Sequence, residues 1–253
     1  MKQLTVIVCS TPTKDFIKGG DLYIVVDESP KNELPRLFDN VIAVGGGAVV
    51  DTAKMLAKKK LIVYPTTAAG AGNTSHSVVW GKKKKFNVKT IMPTKIIVKK
   101  QYFESLPAKI TFDTYYDAVA SCMESKYSVK QTTKSLRHAN KGLKYLDKFI
   151  DTHNKTYLIK GGNESGKAIE ITSTNVMHSL SYPLTSHYGI PHGEALGYIL
   201  KKTKILALPF MIIPTKIDWE LVIKKALKYH KIHETTMIER VTTESLREFL
   251  HIK

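Results

Sequence analysis

The chain has 253 residues, of which 43% are hydrophobic, and a formal net charge of +17 at neutral pH. This length allows one large domain or two small ones with apolar cores of their own. Because no run approaches about 18 consecutive apolar residues, we expect no membrane span and no membrane partner.

The positive charge comes mainly from lysine, since only four of the 39 basic residues are arginine. Proteins that read nucleic acid usually combine arginine with interleaved aromatic residues, so we expect no specific nucleic-acid partner. One interpretation of the lysine excess is an exposed, solvated surface with no binding role. The other is a positive electrostatic field that attracts anionic substrates or dinucleotides.

The amino-terminal segment has a short apolar run but no signal-peptide pattern, so the sequence predicts a cytoplasmic protein. The two cysteines, Cys9 and Cys122, lie in a strand-like and a helix-like run. We expect both to be buried free thiols.

The first third of the chain alternates short apolar runs with turns. Strands are predicted at residues 4–8, 22–26, 41–44 and 61–64, with a helix at 48–60 between the last two. A strand, a helix and a second strand in this order form a βαβ unit, which predicts a parallel sheet.

Three glycines, Gly45 to Gly47, connect a predicted strand to a predicted helix. Glycines permit a tight turn and allow a phosphate to approach the amides at the helix amino terminus. A second loop of small residues, 65–74, follows the next strand. Two such loops at neighbouring strand ends favour a ligand crevice, although glycines also occur in such turns for geometry alone.

The pattern changes near residue 107, where we place the boundary between an α/β domain, 1–107, and a helical domain, 108–253. Before the boundary, a hairpin at 77–80 and 86–90 with a lysine-rich tip and a strand at 92–100 are predicted. After it, the apolar periodicity predicts helices at 114–127, 131–150, 163–178, 193–205, 218–230 and 243–250.

Residues 178–193 contain three histidines, His178, His187 and His192. We expect His178 at the end of a helix and His192 on a Pro-His-Gly turn, so that two elements present imidazoles to one point. The alternative is three unrelated histidines.

Four motifs occur in the order typical of one enzyme family: VIAVGGGAVVDTAK, PTTAAGAGNT, DAVASCMESKYS and HSLSYPLTSHYGIPHGEA. Over residues 41–200 the chain resembles a short member of the iron-dependent (group III) alcohol dehydrogenases, and it is most similar to their phosphonoacetaldehyde reductase branch. The resemblance implies a parallel Rossmann-like α/β domain followed by an all-α domain, the fold also found in dehydroquinate synthase.

The resemblance also implies an NAD(P)H site and a site for a divalent metal, Fe(II) or Zn. The residues matched to cofactor binding belong to two loops: Gly45, Gly46, Gly47, Asp51, Thr66 and Thr67. The choice between NADH and NADPH stays open.

The matched metal ligands are Asp117, His178 and His192. Ser121 stands where the family usually has a fourth ligand, a histidine, and Tyr182 replaces another family histidine beside the substrate. One carboxylate and two imidazoles suit such a metal with positions left open for substrate.

The implied reaction is reduction of a small aldehyde to an alcohol, with phosphonoacetaldehyde as one candidate substrate. Tyr182 or His187 is expected to relay the proton, and a homodimer is expected. The alternatives are a dehydroquinate synthase-like or polyol-phosphate dehydrogenase activity, and a non-catalytic remnant that binds a dinucleotide.

Overall fold

A computed structural model describes residues 4–81, 85–209 and 211–252. In these ranges the strands are β1 (Thr5–Cys9), β2 (Leu22–Val25), β3 (Phe38–Gly45), β4 (Ala57–Pro65), β5 (His76–Trp80), β6 (Lys85–Lys89) and β7 (Lys95–Ile96). Five of them form a parallel sheet in the order β2-β1-β3-β4-β7, and β5 and β6 pair as an antiparallel hairpin. The predicted parallel sheet and hairpin are thus confirmed; of the predicted tip, 81–85, Lys85 belongs to β6 and residues 82–84 lie outside the described residues.

The helices in the same ranges are α1 (Gly47–Leu56), α2 (Gln101–Glu104), α3 (Ala108–Lys126), α4 (Thr133–Thr152), α5 (Lys155–Thr172), α6 (Val176–Tyr188), α7 (His192–Lys202), α8 (Trp219–Ala226) and α9 (Thr243–Phe249). None of these helices is both long and apolar enough to cross a bilayer. Every α-helix after residue 100 follows the sheet in sequence, as the predicted fold class requires.

Helix α1 is shorter than predicted. Ala57 has an extended backbone with ψ of 132° and pairs with Phe38, so residues 58–60 continue into β4 instead of extending the helix. The three lysines at 58–60 are exposed there. Lysine favours a helix over a strand, so the pairing of this segment with β3 overrides the local preference.

The predicted strand at 92–100 is also wrong in length, because only Lys95 and Ile96 pair with β4. This segment forms the outer edge of the sheet, where one neighbour supplies all the ladder hydrogen bonds. Pro93 precedes the paired residues and has no N–H to donate.

The predicted helix at 163–178 is two helices. Ser173 ends α5 with a φ of +62°, a value that continues no α-helix, and the Asn175 side chain accepts a hydrogen bond from Val176 N to cap α6. His178 therefore lies in the first turn of α6 and not, as predicted, at the carboxyl end of a helix. His192, predicted on a turn, is the first residue of α7, with Pro191 as its N-cap.

The apolar core consists of separate clusters. One lies between the sheet and α1 and includes Val8, Val41 and Val63; the largest lies among α3 to α9 and includes Leu146 and Leu196. The predicted boundary falls at Pro107, the N-cap of α3. Division into two domains stays a prediction.

Candidate active and metal site

A cavity of about 500 Å³ lies between the carboxyl edge of the sheet and the helices. Its walls include Gly47 and Asp51 of α1 together with Asp117, His178 and His192 of three other helices. Ligands of open parallel sheets bind outside the carboxyl ends of the strands, where the strand order reverses. Here the order reverses between β1 and β3, and the glycine turn follows β3.

Three side chains with metal-binding atoms meet in this cavity. One ligand atom from each of Asp117, His178 and His192 lies within 4.8 Å of the other two. The Nε2 atom of His178 is 3.3 Å from Asp117 Oδ1, and the two imidazole rings have centroids 5.4 Å apart. Helices α3, α6 and α7 each supply one of these residues.

A buried carboxylate holds His178 in place. Glu124 Oε2 lies 2.6 Å from His178 Nδ1, and Glu124 Oε1 accepts a hydrogen bond of 2.9 Å from the His178 backbone N–H. Metal-binding histidines commonly use their second ring nitrogen in this way, and the contact fixes the ring orientation. The Nε2 atom of His178 is thereby left facing Asp117.

The charges in this contact shift two pKa values. Burial opposes protonation of His178, but Glu124 and Asp117 outweigh it and raise the pKa of His178 to about 9. Burial likewise opposes ionisation of Glu124, yet His178 holds its pKa below the usual range. Without a metal, an imidazolium therefore bridges two carboxylates. A metal ion would replace the Nε2 proton, since histidine ligates in its neutral form.

His192 has the opposite environment. Burial, followed by the charges of Lys85 and His178, lowers the pKa of His192 well below its usual value, so the ring stays neutral. Its Nδ1 atom lies 3.3 Å from Ser181 Oγ, and its ring stacks on that of Tyr182 with centroids 5.9 Å apart. A neutral imidazole beside a carboxylate is a good ligand for a divalent cation.

Ser121 contributes little to this donor set. It is buried one helical turn after Asp117, and its hydroxyl makes only a long 3.5 Å hydrogen bond to Asp117 Oδ1. The residues present thus fit a divalent metal held by one carboxylate and two imidazoles, with coordination positions left for other ligands.

Tyr182 lies one turn after His178 on α6 and is buried in the cavity wall. Lys231 donates a hydrogen bond to its hydroxyl, and Lys85 Nζ lies 4.1 Å from its ring centroid. Burial opposes ionisation of this phenol, but Lys231, Lys85 and His178 outweigh it and lower its pKa to about 7.

His187 is not brought to the site. It is exposed on the last turn of α6, packs against the ring of Tyr188, and is absent from the cavity wall. It follows His178 by nine residues, which places it on the opposite face of a helix with about 100° per residue. Tyr182, four residues after His178, shares the face of that ligand.

The three glycines have different surroundings. A Cβ atom on Gly45 would lie 2.6 Å from Val49, and one on Gly46 would lie 3.1 Å from Thr67. A Cβ atom on Gly47 would meet nothing within 4 Å, and Gly47 lines the cavity. Gly47 is therefore the glycine whose backbone a phosphate could approach.

The second loop lies beside the first, because Thr66 N donates a 3.1 Å hydrogen bond to Gly45 O. Thr66 and Thr67 pack behind the glycine turn and do not line the cavity, whereas Asp51 does. Burial raises the pKa of Asp51 to about 6, although Lys54, 3.7 Å away, opposes this.

Sequence reasoning missed Glu124, Lys54, Lys85 and Lys231. One signal existed for Glu124: it follows Asp117 by seven residues on one helix, a spacing that places two side chains on the same face. No comparable signal existed for Lys85 and Lys231, since they meet only through tertiary packing.

Comparison with known proteins agrees with this geometry. Residues 23–107 match a family model described as iron-containing alcohol dehydrogenase. The phosphonoacetaldehyde reductase of Streptomyces viridochromogenes is 24% identical over 203 residues, which cover 64% of this chain and 51% of that protein. The chain thus spans about half the length of this curated relative.

Solved structures share the fold. The iron-containing alcohol dehydrogenase of Thermotoga maritima superposes with a TM-score of 0.78 at 20% identity, covering 98% of this chain and 92% of that one. The sulfoacetaldehyde reductase of Bifidobacterium kashiwanohense, in complex with NAD+, superposes with a TM-score of 0.66 at 20% identity. The match covers 98% of this chain and 77% of that one. The predicted resemblance and fold class are confirmed: the chain has the fold of solved iron-containing alcohol dehydrogenases, and residues 23–107 match the model of that family.

Proposed function

We propose that the protein is a metal-dependent, NAD(P)H-linked reductase that converts a small aldehyde to an alcohol. The observation that carries the proposal is the convergence of Asp117, His178 and His192 in a cavity that Gly47 also lines. A relative named phosphonoacetaldehyde reductase and a structural neighbour bound to NAD+ support it. Phosphonoacetaldehyde, reduced to 2-hydroxyethylphosphonate, is the candidate substrate.

In this proposal, Asp117, His178 and His192 hold the metal, and the glycine turn with Asp51 holds the dinucleotide. When bound, the divalent ion supplies Lewis acidity at a carbonyl oxygen, and the reduced nicotinamide supplies a hydride. The protein residues bind and orient these groups and supply the proton.

Reduction of an aldehyde consumes one hydride at carbon and one proton at oxygen. We assign the proton to Tyr182 Oη, because this hydroxyl lies in the cavity wall and its ring stacks on His192. Lys231 donates a hydrogen bond to the same oxygen and would stabilise the phenolate left after transfer. Trp80 packs edge-on against both rings and limits access of water to them.

A metal-replete activity screen tests this function. Purified protein is stripped with a chelator and reconstituted with Fe(II) or Zn, and oxidation of NADH and NADPH is followed with phosphonoacetaldehyde and with simple aldehydes. Metal-dependent oxidation of either nucleotide with an aldehyde is expected. Metal and nucleotide binding without turnover on any aldehyde would contradict the proposal and favour a non-catalytic remnant. Homodimer formation and a cytoplasmic location stay predictions.

A further inference from the structure

Two ammonium groups meet at one tyrosine in the cavity wall. Lys231 Nζ donates hydrogen bonds to Tyr182 Oη and, at 2.6 Å, to Thr174 Oγ1, and it lies 4.6 Å from the centroid of the Tyr182 ring. Lys85 Nζ lies 4.1 Å from the same centroid and 5.1 Å from that of Trp80. Lys85, Thr174, Tyr182 and Trp80 all line the cavity.

Neither of these lysines has a carboxylate partner within the part of the chain that the structure describes. No Asp or Glu oxygen in residues 4–81, 85–209 and 211–252 comes within 4.0 Å of Lys85 Nζ or Lys231 Nζ. Lys54, by contrast, is fully buried and has Asp51 at 3.7 Å, whereas Lys85 and Lys231 are partly buried. Charges removed from water are normally paired with an opposite charge, whereas within the described residues these two partly buried ammonium groups contact Tyr182 instead of a carboxylate.

The balance of charge in the cavity points the same way. Asp117 and Glu124 are the carboxylates beside His178, and Lys85 and Lys231 lie against Tyr182, so a divalent ion on the three metal-binding residues would add positive charge to this end of the cavity. Burial lowers the pKa of Lys85; the charge of Tyr182 in its ionised form opposes this effect, and the charge of Lys231 adds to it. A bound anion would relieve this mutual repulsion.

We propose that Lys85 and Lys231, with the hydroxyl of Thr174, form a subsite for the anionic headgroup of the substrate, a phosphonate or a sulfonate. This assignment rests on the reductase function proposed above and names its substrate class: a short aldehyde with a strong anion near the carbonyl. Both lysines lie against the ring of Tyr182, which stacks on the ring of His192 with centroids 5.9 Å apart. A short aldehyde bound beside these rings would place its oxygen toward the metal-binding residues and its anion on the lysines.

The test measures binding separately from turnover. Zn-loaded protein is titrated by calorimetry with 2-hydroxyethylphosphonate, with 2-hydroxyethylsulfonate and with neutral 1-propanol. The anionic alcohols are expected to bind at least about tenfold tighter than 1-propanol. Lys85→Met should weaken anion binding by at least about tenfold and leave the affinity for 1-propanol unchanged.

Lys89→Met is the matched control, since Lys89 is an exposed lysine on the same strand, β6, and is not part of the cavity wall. It removes the same charge and should change neither affinity. Lys231→Met should also weaken anion binding by at least about tenfold, and Lys231→Arg should retain part of the anion affinity. If Lys231→Met does not fold, Lys85→Met decides the matter by itself.

Three outcomes would overturn the subsite. The first is equal affinity of the wild type for the anionic and the neutral alcohols. The second is an equal loss of affinity for the anionic alcohols in Lys85→Met and Lys89→Met. The third is a loss of NADH or NADPH affinity in Lys85→Met as large as the loss of phosphonate affinity, since the anion would then belong to the cofactor. Failure of the reductase function is distinct: it would appear as anion binding without turnover.

Discussion

Glu124 and His178 form a buried carboxylate–imidazole pair, with 2.6 Å between Glu124 Oε2 and His178 Nδ1. The same carboxylate accepts the His178 backbone N–H, so it fixes both the ring and the first turn of α6. The ring is left with a single nitrogen, Nε2, that can face Asp117. A residue that touches no metal thus determines which atom of His178 would bind one.

Glu124→Gln is therefore expected to weaken metal binding. The amide keeps the size of the side chain but removes the charge that orients and polarises His178, and such changes typically cost about 10- to 100-fold in metal affinity. Competition with a chromophoric zinc chelator measures the effect. Glu104→Gln, at an exposed residue outside the cavity, serves as the control. Unchanged zinc affinity in Glu124→Gln would refute the orienting role.

His192→Ala is expected to lose the metal and aldehyde reduction while it keeps NAD(P)H binding, because it removes one of three converging ligands and leaves the glycine turn intact. Metal content after dialysis and nucleotide titration check the two parts separately. The matched control is His187→Ala, an exposed histidine on the far face of α6. If both variants retain metal equally, the ligand assignment fails.

Gly47→Val is expected to lower the affinity for NAD(P)H without lowering thermal stability. The new side chain would enter open space in the cavity, since a Cβ atom there meets nothing within 4 Å, and would occupy the place where a phosphate approaches the backbone. Gly46→Val should lose stability as well, because its Cβ atom would lie 3.1 Å from Thr67. Nucleotide titration and thermal unfolding together separate the two effects. Wild-type nucleotide affinity in Gly47→Val would exclude this turn as the phosphate site.

Asp51 should make stability depend on pH in the acid range. Burial raises its pKa from 3.8 to about 6, so between these values the folded protein holds a proton that the unfolded chain has lost. Unfolding then releases a proton, and the stability contributed by this proton is complete below about pH 4 and is lost as pH rises through about 6.

Asp51→Asn should remove that part of the pH dependence, because the amide does not titrate. Urea unfolding of the wild type and the variant at several pH values between 4 and 7 gives the free energy of unfolding of each protein, and hence the slope of that free energy against pH. Asp151→Asn, at an exposed position at the end of α4, should leave the wild-type slope unchanged. Parallel slopes for wild type and Asp51→Asn would show that Asp51 titrates alike in the folded and unfolded states.

The local sequence pattern was sufficient to predict those elements whose structure depends on residues close to them in the chain. The apolar runs and the three glycines predict the strands β1 to β4 and the turn into α1, because alternation and turn chemistry act over a few residues. The order of the motifs predicted the family and the fold class. The same local signals missed the break between α5 and α6, since Ser173 gives no sign in sequence of its positive φ.

Tertiary structure alone decided which side chains share the cavity. Lys85 comes from a hairpin strand and Lys231 from the segment after α8, and only the packing of those elements brings both to Tyr182. The same packing assigns Glu124 to His178. Hydrophobic periodicity specifies the buried face of each element, but the distances between side chains on different elements follow from how those faces fit together.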